Sequence, residues 1–199
     1  MSKSYFHAYG SDIWYLDGKK HREDGPAVIT ETSKEWWING KKHRVDGPAV
    51  IMHNGSVLYY QNGLLHREDG PAIELSNGLK EWYINGNRHR EDGPAYEFGI
   101  YKEWWVNNKL HRTDGPAQYS PFQQTWYFQG VKHRDNGPAV ERETVNNDTK
   151  KEWWLFGNKY NEEEYYLEKI NYKNNIQNLL YNDLRVCSDI SKYICNYIF

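Results

Sequence analysis

One heptapeptide, His-Arg-x-Asp-Gly-Pro-Ala, occurs six times in this chain with a single Asp-to-Asn exchange, and it decides what the chain can fold into. Its histidines are His21, His43, His66, His89, His111 and His133, at intervals of 22, 23, 23, 22 and 22 residues. Seven residues before each stands an aromatic: Trp14, Trp36, Tyr59, Trp82, Trp104 and Trp126. Five residues after each stands a proline, from Pro26 to Pro138. A fixed period of this size marks a stack of similar units, each burying its apolar face against its neighbours. A decayed seventh copy starts at Trp153, with Tyr160 in the histidine position, as expected of a terminal repeat.

The six copies form an internal alignment. The distance from aromatic to proline is always 12 residues, whereas the return to the next aromatic varies from 10 to 15. The fixed part is therefore the structural unit, and the variable part holds a loop. Within the unit, a stretch such as EWWINGKKHR predicts strand, two-residue turn, strand. Asn-Gly between β-formers is the strongest short-range hairpin signal, because a type I′ turn needs positive φ at both central positions. Gly18, Gly40, Gly63, Gly86 and Gly130 hold the second turn position, and Asn108 replaces glycine once. Asparagine is the next residue best able to adopt that conformation. Further turns are predicted in the returns at Asn54-Gly55, Asn77-Gly78 and Phe98-Gly99. The fold predicted is mainly β: an open antiparallel meander of six or seven hairpin repeats over residues 1–160, with a C-terminal helical cap over residues 161–199.

Neighbouring residues of a strand point to opposite faces. The paired aromatics therefore send one ring to each side of the sheet. One row, led by Trp36, is expected to lie under the Gly-Pro-Ala segments. The other, made of Trp37, Tyr60, Tyr83, Trp105, Tyr127 and Trp154, is a candidate binding stripe.

This pattern resembles the MORN repeats, β-hairpin units of about this length built on an aromatic strand and glycine turns. It is most similar to a divergent form, W-Y-x-N-G-K-x-H-R-x-D-G-P-A, associated with phages and large DNA viruses. The resemblance spans residues 12 to about 160, and the chain carries HRxDGPA where the standard repeat has a second glycine-rich strand. It implies an interaction or scaffold module rather than an enzyme, encoded by a virus or phage and acting in the host cytoplasm. A bias toward Asn, Lys, Ile and Tyr, as in an AT-rich gene, points the same way.

Composition narrows the remaining classes. Aromatics make up 16% of the 199 residues, which excludes a chain disordered by composition. No apolar run reaches the 18 or so residues of a membrane-spanning helix, and MSKSYFHAYG lacks a secretion signal's apolar stretch. Two cysteines, Cys187 and Cys195, exclude a disulfide scaffold and a four-cysteine zinc site, and suit a reducing, cytoplasmic setting. Residues 161–199 hold six acids and four bases, which leaves 21 of each in residues 1–160. A balanced array is a poor phosphate-tracking groove, so nucleic acid is an unfavoured partner. No Gly-x-Ser-x-Gly, P-loop or His-Glu-x-x-His motif is present, and no cofactor is expected.

The recurring His, Arg and Asp invite a metal or catalytic reading, but spacing opposes it. Equivalent histidines should lie about 9–10 Å apart with a strand between them, too far to share a zinc ion. The Asp at position 24 and its equivalents become Asn136 in the sixth copy, which suits a turn and not a base. His is expected to hydrogen-bond the next repeat's backbone, and Arg to pair with a carboxylate or stack on an aromatic. The functional rival is a row of Arg22, Arg44, Arg67, Arg90, Arg112 and Arg134 that binds anions such as a small nucleotide. A protein partner is the first expectation, and self-association through an unpaired strand around Tyr5 to Tyr15 is a further one.

At Asn161 glycine and proline vanish. Asn161 with Glu162, Glu163 and Glu164 reads as an N-cap and acidic first turn, opening a helix over about 162–180. A second stripe, Leu180, Leu184, Cys187, Ile190, Ile194 and Ile198, has helical spacing. Its Val186–Ile190 portion resembles the F-box core and implies an adaptor role as a third reading, with Cys187 where that core has proline.

Overall fold

A computed structural model of the chain describes residues 2–146 and 148–182. Among these, one 16-stranded antiparallel sheet runs the length of the array, each strand beside its sequence neighbours as in a meander. The sheet is open. It begins with β1 (Lys3–Ala8) paired to β2 (Ser11–Leu16) and ends at Thr149–Leu155 and Asn158–Tyr160. Among the described residues a single helix follows, α1 (Glu162–Asn182).

The repeat differs in one respect from two plain strands. In the five internal copies the strand breaks at the first aromatic. Ser33–Glu35 belongs to the long sheet, whereas Trp37–Ile38 pairs only with Lys41–Lys42 as a separate two-stranded hairpin. Four more such hairpins follow, from Tyr60–Gln61 to Val131–Lys132. Trp36 is where two ladders part. Its N–H donates to the Ala49 carbonyl, in register with the long sheet, and its carbonyl accepts from the His43 N–H, in register with the hairpin. The same pair of bonds recurs in every full repeat.

The Asn-Gly turns have the predicted geometry. Asn39 and Gly40 sit at φ +49° and +79°, and Asn107 and Asn108 at +49° and +60°, so position 108 keeps the left-handed conformation without glycine. An additional hairpin turn joins β1 to β2 at Tyr9 and Gly10, φ +52° and +71°. The Tyr5–Tyr15 stretch, expected as one strand, is thus a hairpin, and β1 alone forms the sheet's edge.

The core is thin and built from small residues. Ala27, Ala49, Ala72, Ala95, Ala117 and Ala139 are all completely buried. Val28, Val50 and Val140 follow them inside. On one face of the long sheet, cross-strand neighbours alternate in charge: Glu74 opposite Lys80, Lys80 opposite Glu97, Glu97 opposite Lys102. Opposite charges in directly facing positions favour this register over a slipped one.

The C-terminal helix closes the far end. Asn161 caps it reciprocally: the Glu164 N–H donates to Asn161 Oδ1 at 2.9 Å, and the Asn161 N–H donates to Glu164 Oε2 at 3.1 Å. One turn in, Tyr165 is fully buried against Trp153 and Leu155, and its hydroxyl donates to the Arg134 carbonyl. Burial pushes that phenol up to about 12. The helix continues unbroken to Asn182, beyond the expected end near residue 180. The apolar stripe from Leu184 onward, including Val186–Ile190, lies outside the described residues.

The alanine row gives the first prediction. Ala95→Leu adds volume where no space exists and should cost about 1–3 kcal/mol. Chemical denaturation should show it, and Ala→Ser at the same site should cost less.

Candidate interaction surfaces

Six arginines lie stacked on the first aromatic row. The guanidinium carbons of Arg22, Arg44, Arg67, Arg90, Arg112 and Arg134 sit 3.7–4.2 Å from the ring centroids of Trp14, Trp36, Tyr59, Trp82, Trp104 and Trp126. Cation–π attraction favours this placement. In the first five copies Nε also donates to the Asp two residues on, at 2.7–2.9 Å. In all six, Nη1 donates to the proline carbonyl of the same repeat, at 3.0–3.4 Å. Arg67, Arg90 and Arg134 add a glutamate, Glu74, Glu97 and Glu141. The hydrogen bonds from arginine hold the carboxyls of Asp24, Asp46, Asp69, Asp92 and Asp114 below the usual range. The Asp is thus a clamp on the arginine as well as a turn residue.

This packing explains the glycine of the motif. Gly93 does not need a left-handed φ. A Cβ there would lie 2.8 Å from the Arg90 guanidinium carbon, and at Gly70 and Gly115 the distances to Arg67 and Arg112 are 2.9 and 2.8 Å. The guanidinium is held between an aromatic ring and a bare backbone.

The histidines join repeats. Nδ1 of His21, His43, His66, His89, His111 and His133 accepts the N–H of Asn39, Asn62, Asn85, Asn107, Gln129 and Phe156, at 3.0–3.3 Å. Each acceptor thereby holds the first residue of the next repeat's turn. Burial pushes the His111 imidazole below its ordinary value. Among the described residues no three His, Cys, Asp or Glu side chains gather as metal ligands.

The second aromatic row is half-buried throughout: Trp37, Tyr60, Tyr83, Trp105, Tyr127 and Trp154 all lie between core and full exposure. Their polar tips meet glutamates. Trp37, Trp105 and Trp154 donate Nε1–H to Glu35, Glu103 and Glu152, and the Tyr83 hydroxyl donates to Glu81. Cations lie between the rings: Lys42 between Trp37 and Tyr60, Arg88 between Tyr83 and Trp105, Lys132 and Lys159 over Trp154. Arg88 also bridges Glu81 and Glu103, at 2.7 and 3.7 Å. Burial, then the bond to Glu81, pushes the Tyr83 phenol up; burial, then the Glu103 charge, does so for Tyr127. Ring, carboxylate and cation meet at Trp37, Tyr83, Trp105 and Trp154, whereas Leu58 and Thr125 precede Tyr60 and Tyr127 where the others have glutamate.

A third surface does not follow from the repeat pattern. In the first three returns the turn tips are polar: Thr30-Glu31-Thr32, His53-Asn54-Gly55 and Ser76-Asn77-Gly78. In repeats four and five they become apolar. Phe98, Ile100, Tyr101, Tyr119 and Phe122 are exposed at 37%, 57%, 46%, 39% and 65%. Phe98 faces Tyr101 across the fourth return, and Tyr119 lies on the strand paired to that of Tyr101. The signal that finds them is the departure from the other copies. None of these rings lines the open cleft of about 610 Å³ between repeats four and five, whose walls include Arg90, Asp92, Trp104, His111, Arg112 and Asp114.

No family model matches the chain, and no curated protein matches it either.

Two predictions follow from the motif residues. Gly93→Ala should expel the Arg90 guanidinium and destabilise the protein by about 1–3 kcal/mol, and it should be strongly non-additive with Arg90→Ala in a double-mutant cycle. His111 carries a depressed folded value, so its contribution is whole above its unfolded value of about 6.5 and is lost as pH falls through the folded value. Thermal unfolding on acidification should therefore fall more steeply for the wild type than for His111→Gln.

Proposed function

We propose that this chain is a non-enzymatic, MORN-like repeat module that presents a rigid surface to a protein partner. The observation that carries this reading is the apolar rim of repeats four and five. The exposed rings edge two neighbouring returns, Phe98 and Tyr101 on one face of the sheet and Tyr119 on the other, and such a concentration marks an interaction site far better than the same residues scattered singly. The rim interrupts a repeat whose first three return tips are polar, so the fold does not require it. The half-buried stripe of Trp37, Tyr60, Tyr83, Trp105, Tyr127 and Trp154 supplies the residue types that dominate interface energetics.

The anion-row reading has weaker support. Each of the six arginines already spends Nη1, and five of them Nε, within its own repeat. A nucleotide would have to compete with those bonds. For origin and setting we read the chain as viral or phage encoded and cytoplasmic, on the motif resemblance, the composition and the two cysteines. Among the described residues no helix is long and apolar enough to cross a membrane.

The test is affinity capture with the wild type beside Ile100→Ser/Phe122→Ser, two exposed sites whose change should leave the unfolding midpoint nearly unaltered. A partner retained by the wild type and lost with the double variant supports the rim. A partner lost only with Trp105→Ala moves the site to the stripe. A thermal shift with inorganic phosphate or ATP, abolished by Arg90→Ala, would replace this reading with the anion row.

A further inference from the structure

The sheet has two ends, and they are finished differently. At the far end the outer strand reads Thr149, Lys150, Lys151, Glu152, and its continuation pairs with Asn158–Tyr160 beneath α1. Lysines on an edge and a covering helix are the usual means of preventing another strand from joining. At the near end, among the described residues, β1 has no covering helix and a single lysine, Lys3, at its start. It carries Lys3, Ser4, Tyr5, Phe6, His7 and Ala8, all but Ala8 exposed, with Tyr5 at 56% and Phe6 at 55%. Proline and bulges are absent from it, and its register with β2 is unbroken over six residues.

The free hydrogen-bonding groups of β1 can be assigned. The Asp17 N–H donates to the Ser2 carbonyl, and the pair closing the Tyr9-Gly10 turn is Ala8 with Ser11. Hydrogen-bonded pairs alternate along an antiparallel ladder. The backbone groups of Ser2, Ser4, Phe6 and Ala8 therefore point to β2, and those of Lys3, Tyr5 and His7 point outward. The side chains on the outward-bonding residues are already ordered: the Tyr5 hydroxyl donates to Asp12 at 2.5 Å, His7 Nδ1 lies 2.6 Å from Asp12, and Tyr5 packs on Trp14.

We propose that β1 pairs antiparallel with β1 of a second copy of this chain, about a two-fold axis at Tyr5. Three outward residues centred on Tyr5 are self-complementary. Lys3 falls opposite the second copy's His7, Tyr5 opposite its own equivalent, and His7 opposite Lys3. A register centred between two residues would set side chains of opposite faces against each other and break the pleat. Because the other end of the sheet is blocked, pairing closes at two copies and does not run on as a fibre. The two arrays then form one continuous sheet, with the rims of repeats four and five far from the junction. This inference is independent of the partner reading above, and rim substitutions should leave it untouched.

Light scattering on the full chain across a dilution series should give twice 23.7 kDa at high concentration and 23.7 kDa on dilution. Tyr5→Pro removes an N–H that β2 does not use and should yield a monomer, whereas Lys151→Pro at the far end should remain dimeric. Amide exchange on the unaltered chain supplies a second readout: protection at Lys3, Tyr5 and His7 should rise with concentration, and that at Ser4 and Phe6 should stay constant. A monomer at every concentration overturns the proposal. So does a dimer that survives Tyr5→Pro, or one that forms with the Lys3, Tyr5 and His7 amides unprotected.

Discussion

The structure depends on how a type I′ turn disposes of its own N–H groups. Such a turn is tight and cheap to form with Asn-Gly, but its two central amides point away from the hairpin. In this chain both are taken by the repeat before. In the second copy, the Asn39 N–H reaches His21 Nδ1 and the Gly40 N–H reaches the Lys20 carbonyl, while the Arg22 N–H returns to the Trp37 carbonyl. Three hydrogen bonds thus fasten each hairpin to its predecessor. The isolated two-stranded ladders, too short to persist alone, become a stack. The histidine is kept in all six copies because it must accept there, whereas the residue before it varies among Lys, Leu and Arg.

The arginine works on a different joint. It fixes the aspartate turn, the proline carbonyl and the first aromatic of one repeat to each other, and so makes the unit rigid before it is stacked. The glycine leaves room for it, and the alanine lets the aromatic's N–H close on the same segment. Every letter of the heptapeptide except the variable third position therefore has a physical partner inside the array. The stability of so thin a sheet comes from these repeated polar and cation–π contacts as much as from apolar burial, which along the six full repeats rests on six alanines and three valines and thickens only where Trp153, Leu155 and Tyr165 pack at the helix.

Much of this was legible in the sequence. The period, the hairpins, the open meander and the helix cap at Asn161 followed from spacing and turn chemistry alone, and the bonds made by His and Arg have the form that spacing suggested. Three things were not legible. The break at the first aromatic lies where one residue serves two ladders, Trp36 bonding Ala49 through its N–H and His43 through its carbonyl, which no local propensity reports. The β1–β2 turn uses Tyr9, a residue with no preference for positive φ, so the hairpin there carried no signal. The apolar rim was written in the chain at Phe98, Ile100, Tyr119 and Phe122, but it shows only when each copy is subtracted from the others. Attention to what repeats finds the scaffold, and the residues that fail to repeat find the surface.

The fastening has a direction. Each turn takes acceptors from the repeat before it, and each histidine offers a lone pair to the repeat after it. At the back of the stack His133 meets the Phe156 N–H, and Tyr160 stands where a seventh histidine would offer another lone pair. At the front, the first turn has no earlier histidine, and the Asp17 N–H is met by the Ser2 carbonyl. An array of this design grows from a start that must be supplied and ends wherever a suitable cap arises. Gene duplication can lengthen it at the tail with little penalty, whereas loss of the leading strand strips the first hairpin of the partner on which the others are built.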